Sequence, residues 1–336
     1  MTKSIAVDCM GGDSAPKVII EGLKVVFDSG VEDVHFNLFG DDSLEEFVPL
    51  IGGKYSDRFS VYGAPAVDLK NMKPSVAIRM AKNSSMGLAI QSVKNGESDA
   101  CISAGNTGAY MALSKVLLKM IPGIERPAIA TYIPKDNGNC VMLDLGANAD
   151  CSPKNIIDFA IMGEAFARVG LGKEAPKVAI LNIGAEDIKG NLVVQDAYKQ
   201  ITDNDLLKNF HGFIEGDQIF KTDIDVVVTD GFSGNIALKV TEGTVRFIME
   251  RVKKVFKTNW LTKLSYLILR KALVRNLGFL NPSNHNGAML LGLNGIVVKS
   301  HGGTDAVGFA NAIKATIKIL EDDFVQRVKE QIENQE

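Results

Sequence analysis

Short apolar runs that stop abruptly in Gly, Asn, Asp or Ser recur along the chain, and most are followed by a stretch with helical spacing. Residues 5–8, 34–40, 100–102, 128–133, 140–144, 177–182, 223–230 and 296–299 are largely apolar and rich in Val and Ile, so they predict buried strands. Helices are predicted over 86–94, 111–119, 156–169, from 236 onward and over 306–335, the last becoming highly charged and ending in solvent. The polar loop 134–139 is short enough to join two strands as a hairpin. Strand and helix therefore alternate, which predicts the α/β class. In open sheets of this class the strand carboxyl ends form one side, and ligand clefts lie there.

The loops at those ends carry the candidate chemistry. Ser103-Ala-Gly-Asn-Thr-Gly-Ala109 leaves one strand and enters a helix that Asn106 or Thr107 can cap. Gly105 permits a tight backbone, and free N–H groups at Thr107 and Gly108 would suit a phosphate or a developing oxyanion. An ordinary strand-to-helix turn has the same composition. In Met10-Gly-Gly-Asp-Ser-Ala-Pro16 a helix opens with Asp13 or Ser14 as cap, while Asp8 and Asp13 are alternatively placed to meet a substrate or a metal. Arg79, Lys82, Ser84 and Ser85 put two cations and two hydroxyls just before a helix, which is either a compact anion site or a solvated polar turn. Further loops hold Asp144 to Asn148, Lys189 beside Glu186 and Asp187, Asp230 to Asn235 with Gly234, and His301 before two glycines. None completes a dinucleotide, P-loop or nucleophile-elbow pattern, so anion and carbonyl binding is favoured over a covalent serine.

Charge is segregated. Residues 251–304 hold nine Lys or Arg and no Asp or Glu, which leaves 28 basic against 40 acidic groups elsewhere. The basic stretch is helical in composition and contains the only Trp. Its cations and apolar groups suit an anionic membrane surface or an acidic partner protein, through Lys253, Lys254, Lys257, Trp260, Lys263, Arg270 and Lys271. Its apolar residues spread around the helical wheel without a clean stripe, so a packed helical hairpin or a dimer contact fits equally. Nucleic acid is disfavoured by the acidic remainder. Cys9, Cys101, Cys140 and Cys151 share no metal-ligand spacing and read as reduced core residues. The N-terminus enters a strand directly, without an apolar stretch of signal length, and no segment is long enough to span a bilayer, so the cytoplasm is expected.

Six motifs stand in order along nearly the whole chain: Asp8-Cys-Met-Gly-Gly-Asp13, Ser103 to Ala109, Asp144-Leu-Gly-Ala-Asn148, Leu181-Asn-Ile-Gly184, Asp230-Gly-Phe-Ser-Gly-Asn235 and Lys299-Ser-His-Gly302. Together they resemble the PlsX-type phosphate acyltransferases. Cys9, Ser14 and Gly303-Thr304 depart slightly from that pattern. The resemblance implies transfer of a fatty acyl group from acyl carrier protein to inorganic phosphate, giving acyl phosphate for phospholipid synthesis. It also implies a homodimer, peripheral contact with the inner face of the membrane, and no cofactor or metal. The implied fold is a three-layer α/β/α sandwich with a mixed, mostly parallel sheet, similar to isopropylmalate dehydrogenases and phosphotransacetylases. One catalytic domain over 1–336 is expected, with a basic helical insertion at 250–280.

Phosphate is largely dianionic near neutral pH, with a second pKa of roughly 7 against about 6 for its esters, so no strong base is needed. Positioning and electrostatics then dominate. On this reading Arg79, Lys82, Ser84 and Ser85 hold phosphate, and Ser103, Asp144 and Asn148 lie in the substrate loops. The amides at 105–108 and Asn235 stabilise the oxyanion, and Lys189 and His301 neutralise charge or protonate the leaving thiol. Two rivals remain: a metal- and nicotinamide-dependent dehydrogenase of similar fold, and a non-enzymatic scaffold at the membrane.

Overall fold

A computed structural model describes residues 2–65, 80–278, 282–320 and 324–333. Its centre is an eleven-stranded sheet in the order β3-β2-β1-β4-β11-β10-β5-β6-β9-β7-β8. The strands are β1 (Lys3–Asp8), β2 (Val34–Gly40), β3 (Phe59–Gly63), β4 (Ala100–Ser103), β5 (Ala128–Lys135), β6 (Gly138–Leu143), β7 (Val178–Asn182), β8 (Phe210–Glu215), β9 (Val226–Val228), β10 (Ala288–Leu291) and β11 (Ile296–Lys299). The helices are α1 (Lys17–Asp28), α2 (Leu44–Phe47), α3 (Ser85–Lys94), α4 (Thr107–Leu118), α5 (Pro153–Leu171), α6 (Leu192–Asp203), α7 (Gly231–Lys257), α8 (Trp260–Leu277), α9 (Ala306–Leu320) and α10 (Phe324–Glu333).

Side-chain alternation along the strands builds two cores. Ile5 and Val7 face one layer, which contains α1, α5 and α9, while Ala6 faces the other, which contains α3 and α4. Helix α5 is buried nearly all round in the first layer, where its Asp158 and Glu164 are paired with Lys154 and Arg168 one turn away. A Ser152–Asn155 capping box starts it, and Gly172 ends it with left-handed backbone at φ 64°. The mixed three-layer sandwich and the β5–β6 hairpin agree with expectation.

The single carboxyl edge does not. Antiparallel pairing of β10 with β11 and β5, and of β5 with β6, makes β6, β9, β7 and β8 run opposite to β1, β2, β4 and β11. The loops meet nonetheless, because the two halves are offset along the strand direction. Val7, Ile102, Val298, Met289 and Ala130 lie in one row, and Thr131, the next residue, lies opposite Met142, Val227 and Ala179. Strands β1, β4 and β11 end one residue beyond this row, and β6 and β9 end beside it from the other direction. Both sets of carboxyl ends therefore open at the middle of the sheet, not along one edge.

Three other expectations are corrected. Helix α1 starts after Pro16 with no side-chain cap, so Asp13 and Ser14 do not cap it. The chain end does not simply trail into solvent: Phe324 and Val328 of α10 are buried, and Phe324 meets the Phe166 ring edge-on at 5.6 Å. The basic segment is not an element that begins at 250, since α7 runs unbroken from Gly231 to Lys257 before α8 returns. Along α8 no residue is buried; Trp260, Leu261, Leu264, Leu267 and Ile268 form one exposed stripe, but Tyr266 and Leu269 are exposed away from it, so the helix has no single clean apolar face, as its wheel predicts. Among the described residues no helix is long and apolar enough to cross a membrane.

Candidate active site

The converging loops line a cavity of about 2130 Å³ that continues beneath the α7–α8 hairpin. Asp8 organises its first wall. Its carboxylate is fully buried and accepts the hydroxyl protons of Ser85 and Ser103, each at 2.6 Å, together with the Met10 amide at 3.2 Å. Ser103 Oγ in turn accepts the Gly105 amide at 3.0 Å, so one carboxylate ties three loops together. Burial raises the Asp8 pKa, against the hydroxyls, the Met10 amide and the Lys299 charge. The fit leaves no room for a side chain at Gly11, where a Cβ would stand 2.5 Å from Asp8 Oδ2 and 2.6 Å from the Gly105 amide.

This arrangement revises the serines. Ser84 caps α3 by accepting the Gly87 amide at 3.2 Å, and its own proton goes to the Ala81 carbonyl at 2.6 Å. The protons of Ser85 and Ser103 go to Asp8. All three hydroxyls are turned into the protein because a buried carboxylate and a helix end both demand partners. Lys82 is exposed and outside the cavity lining, and Arg79 lies outside the described residues.

Asn106 caps α4 by accepting the Ala109 amide at 2.9 Å, which leaves the first helical amides at the cavity mouth. Across from it, Lys299 and His301 leave β11. Burial pushes the Lys299 ammonium down to about 8, with Asp8 and Asp13 opposing the shift and Lys239 adding to it. His301 Nδ1 accepts the Gly303 amide at 3.1 Å, which assigns the proton of the neutral ring to Nε2. Asn286 clamps this loop: its Nδ2 donates to Ser300 Oγ at 2.8 Å, and its Oδ1 accepts the His301 amide at 3.0 Å. Sequence reasoning did not place Lys299 and Asn286 in the site. In the sequence Lys299 is only the end of a strand and the start of a motif, and Asn286 acts on a loop it reaches only through the β10–β11 pairing.

The opposite wall is held by Asp144. Its buried carboxylate accepts the amides of Ile129, Gly146, Ala147 and Asn148 and the Asn148 side chain at 2.8–3.1 Å. Burial raises its pKa against those donors. With every lone pair engaged, Asp144 and Asn148 shape the loop and do not line the cavity. Gly231 and Gly234 let α7 dock on that loop, since a Cβ on Gly234 would stand 2.0 Å from the Asp144 carbonyl oxygen. Asn235 follows at the cavity wall, packed near Gly146. Lys189 stands in an exposed loop outside the lining. Ser84, Ser85, Gly105, Asn106, Thr107, Asn235 and His301 are thus brought to one cavity, while Lys82, Ser103, Gly108, Asp144, Asn148, Lys189 and Gly234 are not in its lining.

The fold resembles that of a phosphotransacetylase from Streptococcus pyogenes (TM-score 0.61, 16% identity, 95% of this chain and 94% of that one). A putative 4-hydroxythreonine-4-phosphate dehydrogenase from Salmonella typhimurium is similar at TM-score 0.56 and 14% identity, over 95% of this chain and 100% of that one. A phosphate acyltransferase of Rhodospirillum rubrum is 44% identical over 330 residues, covering 98% of this chain and 94% of its own. Residues 3–327 match the model of a family described as fatty acid synthesis protein. With its six loop motifs and its sheet of opposed halves, the chain belongs to this family, that of the PlsX-type phosphate acyltransferases.

Proposed function

We propose that the protein transfers a fatty acyl group from acyl carrier protein to inorganic phosphate, releasing acyl phosphate and the carrier thiol. The observation that carries this reading is the joining of two environments in one cavity: amide-rich loops at the sheet centre and an apolar groove under the hairpin. A phosphate oxygen attacks the thioester carbonyl, the C–S bond breaks, and the thiolate leaves with a proton. The amides at the α4 start and Asn235 are placed to stabilise the oxyanion. His301 Nε2–H, at the cavity wall, donates a hydrogen bond to the leaving sulfur, and the proton the thiolate takes is the one that hydrogenphosphate gives up as it is acylated. Lys299, in the cavity lining, supplies positive charge for phosphate. The test is incubation with acyl carrier protein thioester and phosphate. Phosphate-dependent acyl phosphate supports the reading. Hydride transfer to nicotinamide would replace it by the dehydrogenase, and vesicle binding without turnover by the scaffold.

The Lys299 charge is lost as pH rises through about 8. The KM for phosphate should therefore climb above that pH, while a Lys299→Met protein shows a high and flat profile. The rise will not be unfolding: between about 8 and the ordinary lysine value of 10.5 the unfolded chain holds the extra proton, so folding stability increases with pH there. A phosphate KM independent of pH in the unmodified protein would remove Lys299 from this role.

The hairpin is the surface for partners. We read the exposed stripe from Trp260 to Ile268, with Lys263, Arg270 and Lys271 beside it, as the contact with an anionic membrane at the inner face of the cell. The exposed face of α7 at Phe232, Ile236, Val240 and Phe247 suits a second copy. Reversing Lys253, Lys254 and Lys257 to Glu should weaken binding to acyl carrier protein or to anionic vesicles at least tenfold at low salt, measured by sedimentation and titration. Unchanged binding to both, in a folded protein, would leave these lysines without a docking role.

A further inference from the structure

Helix α7 carries two apolar faces, and only the outer one is free to meet another protein. On the inner one, Leu238, Val245, Met249, Val252 and Phe256 recur at intervals of seven, four, three and four residues, so they share a stripe. All five are half-buried and line the cavity. Leu238 stands one turn beyond Asn235, and Phe256 packs on Tyr266 of α8 with ring centroids 5.4 Å apart. At about 1.5 Å per residue the stripe is about 27 Å long. A lipid leaflet, about half of a ~30 Å hydrocarbon core, is the length of one long acyl chain, and the stripe exceeds it. Ile133, Leu145 and Phe220 supply apolar surface from the body side of the same cavity. Lys239, Arg246 and Lys253 are exposed and border the stripe at seven-residue intervals, giving the groove a cationic rim.

We propose that this groove holds the acyl chain of the substrate, with the carbonyl at the site loops and the methyl end toward the hairpin tip, and that Val245, Met249 and Val252 set the chain length accepted. The proposal rests on the acyl-transfer reading. Three features select an acyl chain over a protein segment: the groove is continuous with the site loops, its floor offers apolar surface without a ladder of backbone partners, and its cations sit on the rim. Each methylene moved from water into such a groove strengthens binding by about fourfold, so long donors should be strongly preferred.

The experiment compares hexadecanoyl and butanoyl thioesters of acyl carrier protein, with phosphate, for the unmodified protein, Met249→Trp and Val245→Trp. Subunit mass by light scattering and thermal melting are followed in parallel. Filling the groove should lower the ratio of kcat/KM for the long donor to that for the short one at least tenfold in both variants, at unchanged mass and melting temperature. An unchanged ratio overturns the proposal. A changed subunit mass with equal losses on both donors also overturns it and assigns the groove to a second copy. No acyl phosphate from either donor in the unmodified protein overturns the acyl-transfer reading itself, and the proposal with it.

Discussion

Replacing Asp8 by alanine is expected to lower kcat/KM about 100-fold or more without touching a reacting atom. The carboxylate receives two serine hydroxyls and the Met10 amide in full burial. Its removal leaves those donors without partners, at a cost of about 1–3 kcal/mol for each buried unsatisfied group. Part of that cost will be relieved by movement of the loops at 10–13, 84–85 and 103–105. A displacement of about 1 Å in groups that position substrate costs on the order of 100-fold in rate. Steady-state kinetics with phosphate as the varied substrate, alongside a melting curve, check this. The signature of positioning is a lower kcat and a higher KM for phosphate, together with a lower melting temperature. Wild-type kinetics in Asp8→Ala would show that the three loops hold their places without it.

Gly234→Ala should be the most destabilising single methyl addition at the site. Its Cβ would lie 2.0 Å from the Asp144 carbonyl oxygen and 2.8 Å from Thr229 Cγ2. The first of these is a backbone atom in a loop held by five hydrogen bonds, so the helix must give way. Overpacking of this kind costs about 1–3 kcal/mol and sometimes more. Activity should fall with stability, because Asn235 is the next residue and moves with the helix start. The same substitution at Gly243, two and a half turns along α7 with nothing within 4 Å of its Cβ, should instead stabilise by about 0.8–1 kcal/mol through helix propensity. Denaturant titration of the pair separates the two effects. Equal stability of Gly234→Ala and Gly243→Ala would contradict the close docking of α7 on the 144–148 loop.

The contrast between Gly234 and Gly243 illustrates what can be read from a chain of residues. Both are glycines within the same helix, and although Gly234 stands in a loop motif, that motif does not show what its α-carbon touches. What differs is the Asp144 loop, 90 residues away, which presses on one of them and not on the other. The serines behave in the same way. Ser84 and Ser85 look like adjacent donors to an anion, yet one satisfies a helix end and the other a carboxylate from β1. Lys82 and Lys189 look as well suited to phosphate as Lys299, but only Lys299 lies in the cavity lining.

The elements themselves were legible because their causes are local. Period-two alternation, Val and Ile enrichment, an Asn or Ser before a helix and a glycine after one act within a few residues, and β4, α4 and α5 form accordingly. The kind of loop at each strand end, and the segregation of positive charge into the hairpin, are likewise properties of the chain alone. Tertiary structure decided which loops meet. The sheet reverses direction through β10 and β5, and its halves are offset so that opposed carboxyl ends open on one cavity. That outcome depends on pairing between strands far apart in sequence, where burial of one face and the register of hydrogen bonds are settled jointly by the whole sheet. Residue type is a property of the sequence, whereas the partner that consumes a hydroxyl proton or leaves an ammonium group in the cavity wall exists only once the sheet has closed.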